Sequence, residues 1–276
     1  IVLRSTAGDL TLTDGNTDGV ALSANGSGNV LVQAVNAGKS LTVNADVSTG
    51  TGNISVLAGL NLTLGTGADL LITGATPGTA SIDAEATAGA LLMSASSTMS
   101  SSGVGATARL KAGTSVTVGD IALAAGSVSI TAGTSILDAD PLTGGTTNDT
   151  NQDITAVSLR LNAGTVMADS VNQLETTVGS LTASSAGSVY LLEADDLTVG
   201  SVAVSVNRVG SAAGVSTVTD AAQADVRTSA NGNIVLRSTA GSLTLSDGNT
   251  DGVALSAHGS GNVLVQAQGT GSDLAV

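Results

Sequence analysis

Residues 1–34 read IVLRSTAGDLTLTDGNTDGVALSANGSGNVLVQA, and residues 234–267 read IVLRSTAGSLTLSDGNTDGVALSAHGSGNVLVQA. Only Asp9/Ser242, Thr13/Ser246 and Asn25/His258 differ between the two stretches. Beyond them the register persists, with Gly38/Gly271, Leu41/Leu274 and Val43/Val276 aligned at the same offset as Ile1/Ile234. Residues 1–233 are therefore one long repeat unit, and 234–276 begin the next as a repeat of 1–43. Near-identity at that distance implies tandem duplication and an array of such units.

Within the unit, short segments alternate apolar and polar residues with period two, as half-buried strands do. Val20, Leu22 and Ala24 are expected inward, with Ala21 and Ser23 outward; Val263, Val265 and Ala267 repeat the pattern against Leu264 and Gln266. Strand openings recur at near-equal intervals at Val20, Leu41, Leu62 and Ile82, with companions at Val30, Ile54, Leu70 and Leu91. Alternation nested in a period of about 20 residues predicts an all-β chain folded as a parallel β-solenoid, with at least two strands in each coil. The expected architecture is one continuous solenoid over 1–276, broken only by a loop excursion at 138–153, where the rhythm lapses. An antiparallel sandwich is the alternative that composition permits.

Composition agrees with this reading. The chain has 276 residues, 42% of them hydrophobic, yet neither Phe nor Trp is present and Tyr190 is the only aromatic. Val, Leu, Ile and Ala must form the core alone, and 36 glycines spread along the whole length mark turns at short intervals. The formal charge of −14 arises from 22 acidic against 8 basic residues, without an acidic run. So few cations, with no aromatic platform, argue against a nucleic-acid partner. No apolar run reaches the roughly 18 to 20 residues needed for a membrane-spanning helix, so no membrane insertion is expected. Cysteine is absent, which excludes disulfides and thiolate chemistry. The opening Ile1-Val2-Leu3-Arg4 reads as a strand and not as a leader, so further chain is expected upstream.

Three segments, GNISVLAGLNLTL (52–64), GSVYLLEADDLTV (187–199) and GNIVLRSTAGSLTL (232–245), share one form: Gly-polar-Val/Ile, alternating apolar residues, then Leu-Thr-Leu/Val. This form resembles the β-strand repeats of filamentous-haemagglutinin-like exoproteins and giant bacterial surface adhesins. The resemblance implies a right-handed parallel β-helix, an extracellular or cell-surface location, and a role in attachment, aggregation or biofilm. The function expected is a structural or adhesive shaft whose partners are neighbouring repeat units end to end, other copies of itself, and a host or cell-surface glycan. A glycan- or surface-binding β-helix module is the alternative; a β-helix polysaccharide lyase or glycosidase is disfavoured because Glu85, Glu175 and Glu193 are the only glutamates and lie far apart in sequence. No enzymatic activity is expected.

Candidate sites are few. Asp14-Gly15-Asn16-Thr17-Asp18-Gly19, repeated at Asp247 to Gly252, matches the first half of a calcium loop, so Asp14, Asn16, Asp18, Asp247, Asn249 and Asp251 are candidate calcium ligands. The twelfth position of such a loop is Asn25 or His258 instead of Glu, which excludes an EF-hand and leaves an Asx turn as the competing reading. Asp149, Asn151 and Asp153 repeat the alternation as a second calcium candidate. No cofactor is required by the sequence. Arg109 and Lys111, alternating about Leu110, and Tyr190, alternating with Val189 and Leu191, are expected to point outward. His258 is assigned no role, because its counterpart is Asn25.

Overall fold

The computed structural model describes residues 1–74, 80–142, 148–149 and 151–276. Among these residues every regular element is a β-strand, and the strands form one parallel ladder network of 27 together with a separate two-stranded ribbon. The first coil is made of Val2–Ser5, Leu10–Leu12 and Val20–Ala24, and the second of Val30–Ala34, Leu41–Val43 and Asp46–Thr49. The third repeats the arrangement with Ile54–Ala58, Leu62–Leu64 and Leu70–Ile72. Each strand lies parallel on the one a coil earlier: Val30 is in register with Ile54, Leu41 with Leu62, and Val47 with Leu70. This is the parallel β-solenoid expected from the alternation.

The register corrects the regular coil expected from the spacing. Leu41 does stack on Leu62, but Val20 meets Asp46, not Leu41, and Ile82 meets Ile54, not Leu62. A coil has three strands here, and its length varies: the step from Ala108 to its partner Val128 is much shorter than the next step, from Val128 to Leu159. Ladder pairing fixes which residues stack, while corner loops absorb the differences in length. Ten strands stack on the face that runs from Val2–Ser5 through Thr107–Ala112 to Leu255–Ser256. At about 4.8 Å each they make a column of roughly 48 Å.

Inward side chains form continuous aliphatic columns such as Val32, Val56, Ala84, Leu110, Ile130 and Leu161, all buried. Stacked γ- and β-branched side chains fill the interior without aromatic rings. Corners are crowded: a Cβ on Gly133 would collide with the Gly113 carbonyl, and one on Gly164 with the Gly133 carbonyl, so only glycine lets successive turns nest. Asparagines tie other corners together. Asn29 Oδ1 accepts the Asn53 backbone N–H (2.9 Å) and side-chain amide (3.0 Å), and Asn53 Oδ1 accepts the Ser81 N–H (3.0 Å).

The parallel ladder carries one excursion that the alternation does not announce. After Leu197–Val199 the chain leaves as an antiparallel hairpin, Ser201–Val209 against Val215–Ala224, and returns at Val226–Thr228. The hairpin lies along the outer side of one solenoid face, over Ile54–Ala58, Ser81–Ala86 and Thr107–Ala112. Val202, Val204, Val206 and Val209 are buried against that face, and the Val209 N–H donates to Ser55 Oγ (2.9 Å). Outward-facing polar positions of the solenoid, Ser55, Ser81, Asp83 and Arg109, are thereby removed from solvent. Arg109 does point out of the coil as its alternation requires, but it is 3% exposed under the hairpin; Lys111 remains exposed. Tyr190 is half-buried against the core. Of the expected excursion at 138–153, Asp138 ends the strand Ser135–Asp138, and 139–142, 148–149 and 151–153 lie outside strands; 143–147 and 150 fall outside the described residues.

Candidate functional site

The Asp14–Gly19 turn closes on itself. Asp14 Oδ1 accepts the N–H groups of Asn16 (2.9 Å) and Thr17 (2.8 Å), and Oδ2 accepts that of Gly19 (2.7 Å). Asp18 Oδ1 accepts the Val20 N–H (2.9 Å), while the Asn16 side-chain amide donates to Asp18 Oδ2 (2.9 Å). Gly19 (φ 86°) and Thr17 (φ 66°) adopt the left-handed backbone that lets these N–H groups converge. Hydrogen bonds from the Gly19, Asn16 and Thr17 backbone hold Asp14 below its ordinary pKa.

The second copy repeats this geometry: Asp247 accepts the N–H of Asn249 (3.0 Å) and Gly252 (2.5 Å), Asp251 accepts that of Val253 (2.9 Å), and the Asn249 amide donates to Asp251 (3.1 Å). It adds Asp225 from the coil below, fully buried, and Arg227, whose guanidinium donates to both Asp225 and Asp251 at 2.5 Å. In both copies the aspartate oxygens that a calcium loop would offer are engaged by backbone N–H groups, an asparagine amide or Arg227. That is the bonding of an Asx turn.

A second acidic cluster lies beneath the hairpin. Asp83 meets Arg109 Nη1 (2.9 Å) and Arg208 Nε (2.5 Å); Glu85 meets Arg109 Nη1 (3.1 Å) and Arg208 Nη2 (2.6 Å). Asp220, from the outer strand of the hairpin, completes the group through Arg109 Nε (3.2 Å) and Ser129 Oγ (2.7 Å). Burial alone would raise Glu85, but Arg208 and Arg109 more than offset it and hold the carboxyl below its ordinary value. These pairs lock the hairpin to the solenoid.

The third cluster is of another kind. Asp138 ends one strand, Asp153 immediately precedes Ile154–Ala163, and Glu175 is the second residue of Leu174–Ser185. The ladder pairs Ile154 with Thr176, so Asp153 and Glu175 are neighbours one coil apart: the Glu175 N–H donates to Asp153 Oδ2 (2.7 Å), and the Asp153 N–H to the Glu175 carbonyl (3.1 Å). Oxygens of Asp138, Asp149 and Glu175 lie within 4.8 Å of one another, as do those of Asp138, Asp140 and Asp153. Asp153 and Glu175 are each 1% exposed, Asp149 and Gln173 7%. The Asn148 amide donates to Glu175, and the Asn172 amide to Asp138 Oδ2 (2.7 Å).

Five buried oxygens in this cluster have no donor: Asp149 Oδ2, Asp153 Oδ1, Glu175 Oε2, Asn172 Oδ1 and Gln173 Oε1. Among the described residues, no Lys or Arg forms an ion pair with any of its carboxylates. Burial above all, joined by the neighbouring carboxylates, pushes Asp153, Glu175 and Asp138 above their ordinary values. Of the residues singled out in the sequence, Asp149 lies with Asp138 and Glu175, and Asp153 with Asp138 and Asp140, whose Oδ2 accepts the Asn151 amide (3.1 Å).

Sequence reading missed Asp138 and Glu175. Their signal is a spacing between Asp153 and Glu175 equal to the local coil, which is visible only once the register is known. Glu175 and the buried Glu193 also line one cleft of about 190 Å³ with Asp149, Gln152, Leu192, Ala194 and Thr239. Glu193 accepts from Thr176 Oγ1 (2.7 Å) and the N–H groups of Val178 and Ala194 (both 3.1 Å), and burial pushes it up to about 8.

No protein-family model, curated protein or solved structure matches this chain.

Proposed function

We propose that this chain is a segment of an extended shaft, a spacer in which repeat units stack end to end to carry attachment or aggregation at a cell surface. The supporting observation is the junction between the two copies. Ile234–Ser238 lies in register on Val189–Glu193, Leu243–Leu245 on Leu197–Val199, and Leu255–Ser256 on Val226–Thr228, so the second copy begins on the first unit without a break in the ladder. Identical sequence is buried or open according to whether another coil covers it. Val30 and Leu41 are fully buried, while their counterparts Val263 and Leu274 are 50% and 47% exposed.

The attachment role, the extracellular location and a glycan partner rest on the resemblance of residues 52–64, 187–199 and 232–245 to surface-protein repeats. Solution scattering on chains of one, two and three units tests the shaft. Each added unit is expected to lengthen the particle by roughly 40 Å at constant cross-section, and a radius of gyration that grows only as a globule's would overturn the reading. Cell adhesion unchanged by surface display of the array would remove the attachment role.

A further inference from the structure

We infer that Asp138, Asp149 and Glu175 hold one hard divalent cation, calcium by its chemistry, which ties Asp138 and Asp149 to the coil that carries Glu175. The inference is independent of the shaft reading. It rests on a mismatch of donors and acceptors: two buried carboxylate oxygens of this group, Asp149 Oδ2 and Glu175 Oε2, have no hydrogen-bond donor and lie in a group whose oxygens come within 4.8 Å of one another. A buried acceptor without a donor is costly, and several together are rare in a folded protein. Their common remedy is a cation, because a single ion satisfies several of them at once.

The ligand set selects the ion. The group offers carboxylate oxygens alone, from Asp138, Asp149 and Glu175. Calcium takes six to eight such oxygens and tolerates irregular geometry, whereas magnesium demands an octahedron and keeps its waters. With no His or Cys in the group, the softer transition metals lack their preferred donors. The position gives the ion a structural task, since Asp138 ends one strand, Asp149 lies outside any strand and Glu175 belongs to the strand Leu174–Ser185 of a later coil.

The decisive experiment titrates calcium chloride into the complete chain after removal of divalent ions, by calorimetry, with thermal melts followed by circular dichroism. One calcium per chain at this site and a higher melting temperature in calcium than in chelator are expected. Glu175→Gln should weaken that binding roughly tenfold or more. Asp14→Asn combined with Asp247→Asn should leave it unchanged, which separates this cluster from the two Asx turns. Dichroism in chelator verifies the fold of the first variant; should it fail to fold, Asp149→Asn, outside any strand, takes its place and should show the same loss. Absence of binding up to about 1 mM calcium, equal affinity in the cluster variant, or binding lost only in the Asp14/Asp247 variant would overturn the inference. In the first of these cases the cluster is held together by shared protons.

Discussion

Two buried acidic clusters on this solenoid meet the same problem with different means. Asp83, Glu85 and Asp220 are faced by Arg109 and Arg208, delivered by a neighbouring coil and by the hairpin. Asp138, Asp149, Asp153 and Glu175 are faced by amides and by one another, and retain orphaned oxygens. A buried carboxylate needs a compensating charge or a proton. Where the chain supplies the charge, the cluster fixes a tertiary contact permanently; where it does not, the contact depends on what the solution supplies.

The largest expected effect breaks the self-sufficient cluster. Arg109→Ala leaves Asp83 buried beside a single remaining guanidinium and should cost about 3–5 kcal/mol of stability, measured by urea denaturation. The loss should be the same in calcium and in chelator. A cost near zero would mean that the hairpin does not hold these carboxylates away from water, and that the two clusters are not comparable.

Glu193 provides a buried carboxyl outside both clusters, and its test is the difference between wild type and Glu193→Gln. Burial raises its folded-state pKa from 4.5 to about 8. Between those values the folded chain holds a proton that the unfolded chain has released, so the stability contributed by this group is full below about pH 4.5, falls as pH rises, and is lost above about pH 8. Wild type should therefore lose on the order of a few kcal/mol relative to Glu193→Gln across that window. Asp195, Glu175 and Asp149 lie nearby and are present in both proteins, so the difference between the two isolates position 193. Parallel stability curves for the two proteins would show that the Thr176, Val178 and Ala194 hydrogen bonds already compensate the charge.

A smaller shift sharpens the other side of the comparison. In chelator, Glu175→Gln replaces a carboxyl whose charged form burial disfavours with a neutral isostere and should be neutral or slightly stabilising, while in calcium the same variant should be destabilised relative to wild type. A substitution whose sign reverses with the ion is a signature the arginine-faced cluster cannot give.

How much of this was legible in the sequence depends on the direction of the contact. Alternation along Val30–Ala34 and Ile54–Ala58, and the glycines between strands, announce a stacked all-β chain. The Asp14 turn is likewise readable, because all of its partners are close neighbours in the chain. Alternation does not encode pairing partners, however. Val202, Val204 and Val206 alternate with Ala203 and Ser205 as any coil strand would, so nothing local distinguishes the antiparallel hairpin from two further solenoid strands. Arg109 was legible as outward-facing and illegible as buried, since its cover comes from the hairpin, far later in the chain. Unequal corner loops hid the coil length, and with it the meeting of Asp153 and Glu175.

The smallest expected effect tests the motif that looked most like a metal site. Asp14→Ala removes the acceptor for three backbone N–H groups, all on an exposed turn where water can replace it. The loss should be well below that of Arg109→Ala, and it should be equal in calcium and in chelator, read by paired thermal melts. The same substitution at Asp247 should behave alike, even though Arg227 and Asp225 stand beside that copy. A calcium-dependent loss at either turn would reverse the comparison: these aspartates would then exchange their backbone partners for an ion, and spacing along the chain would outweigh the orphaned oxygens as the guide to where a cation binds.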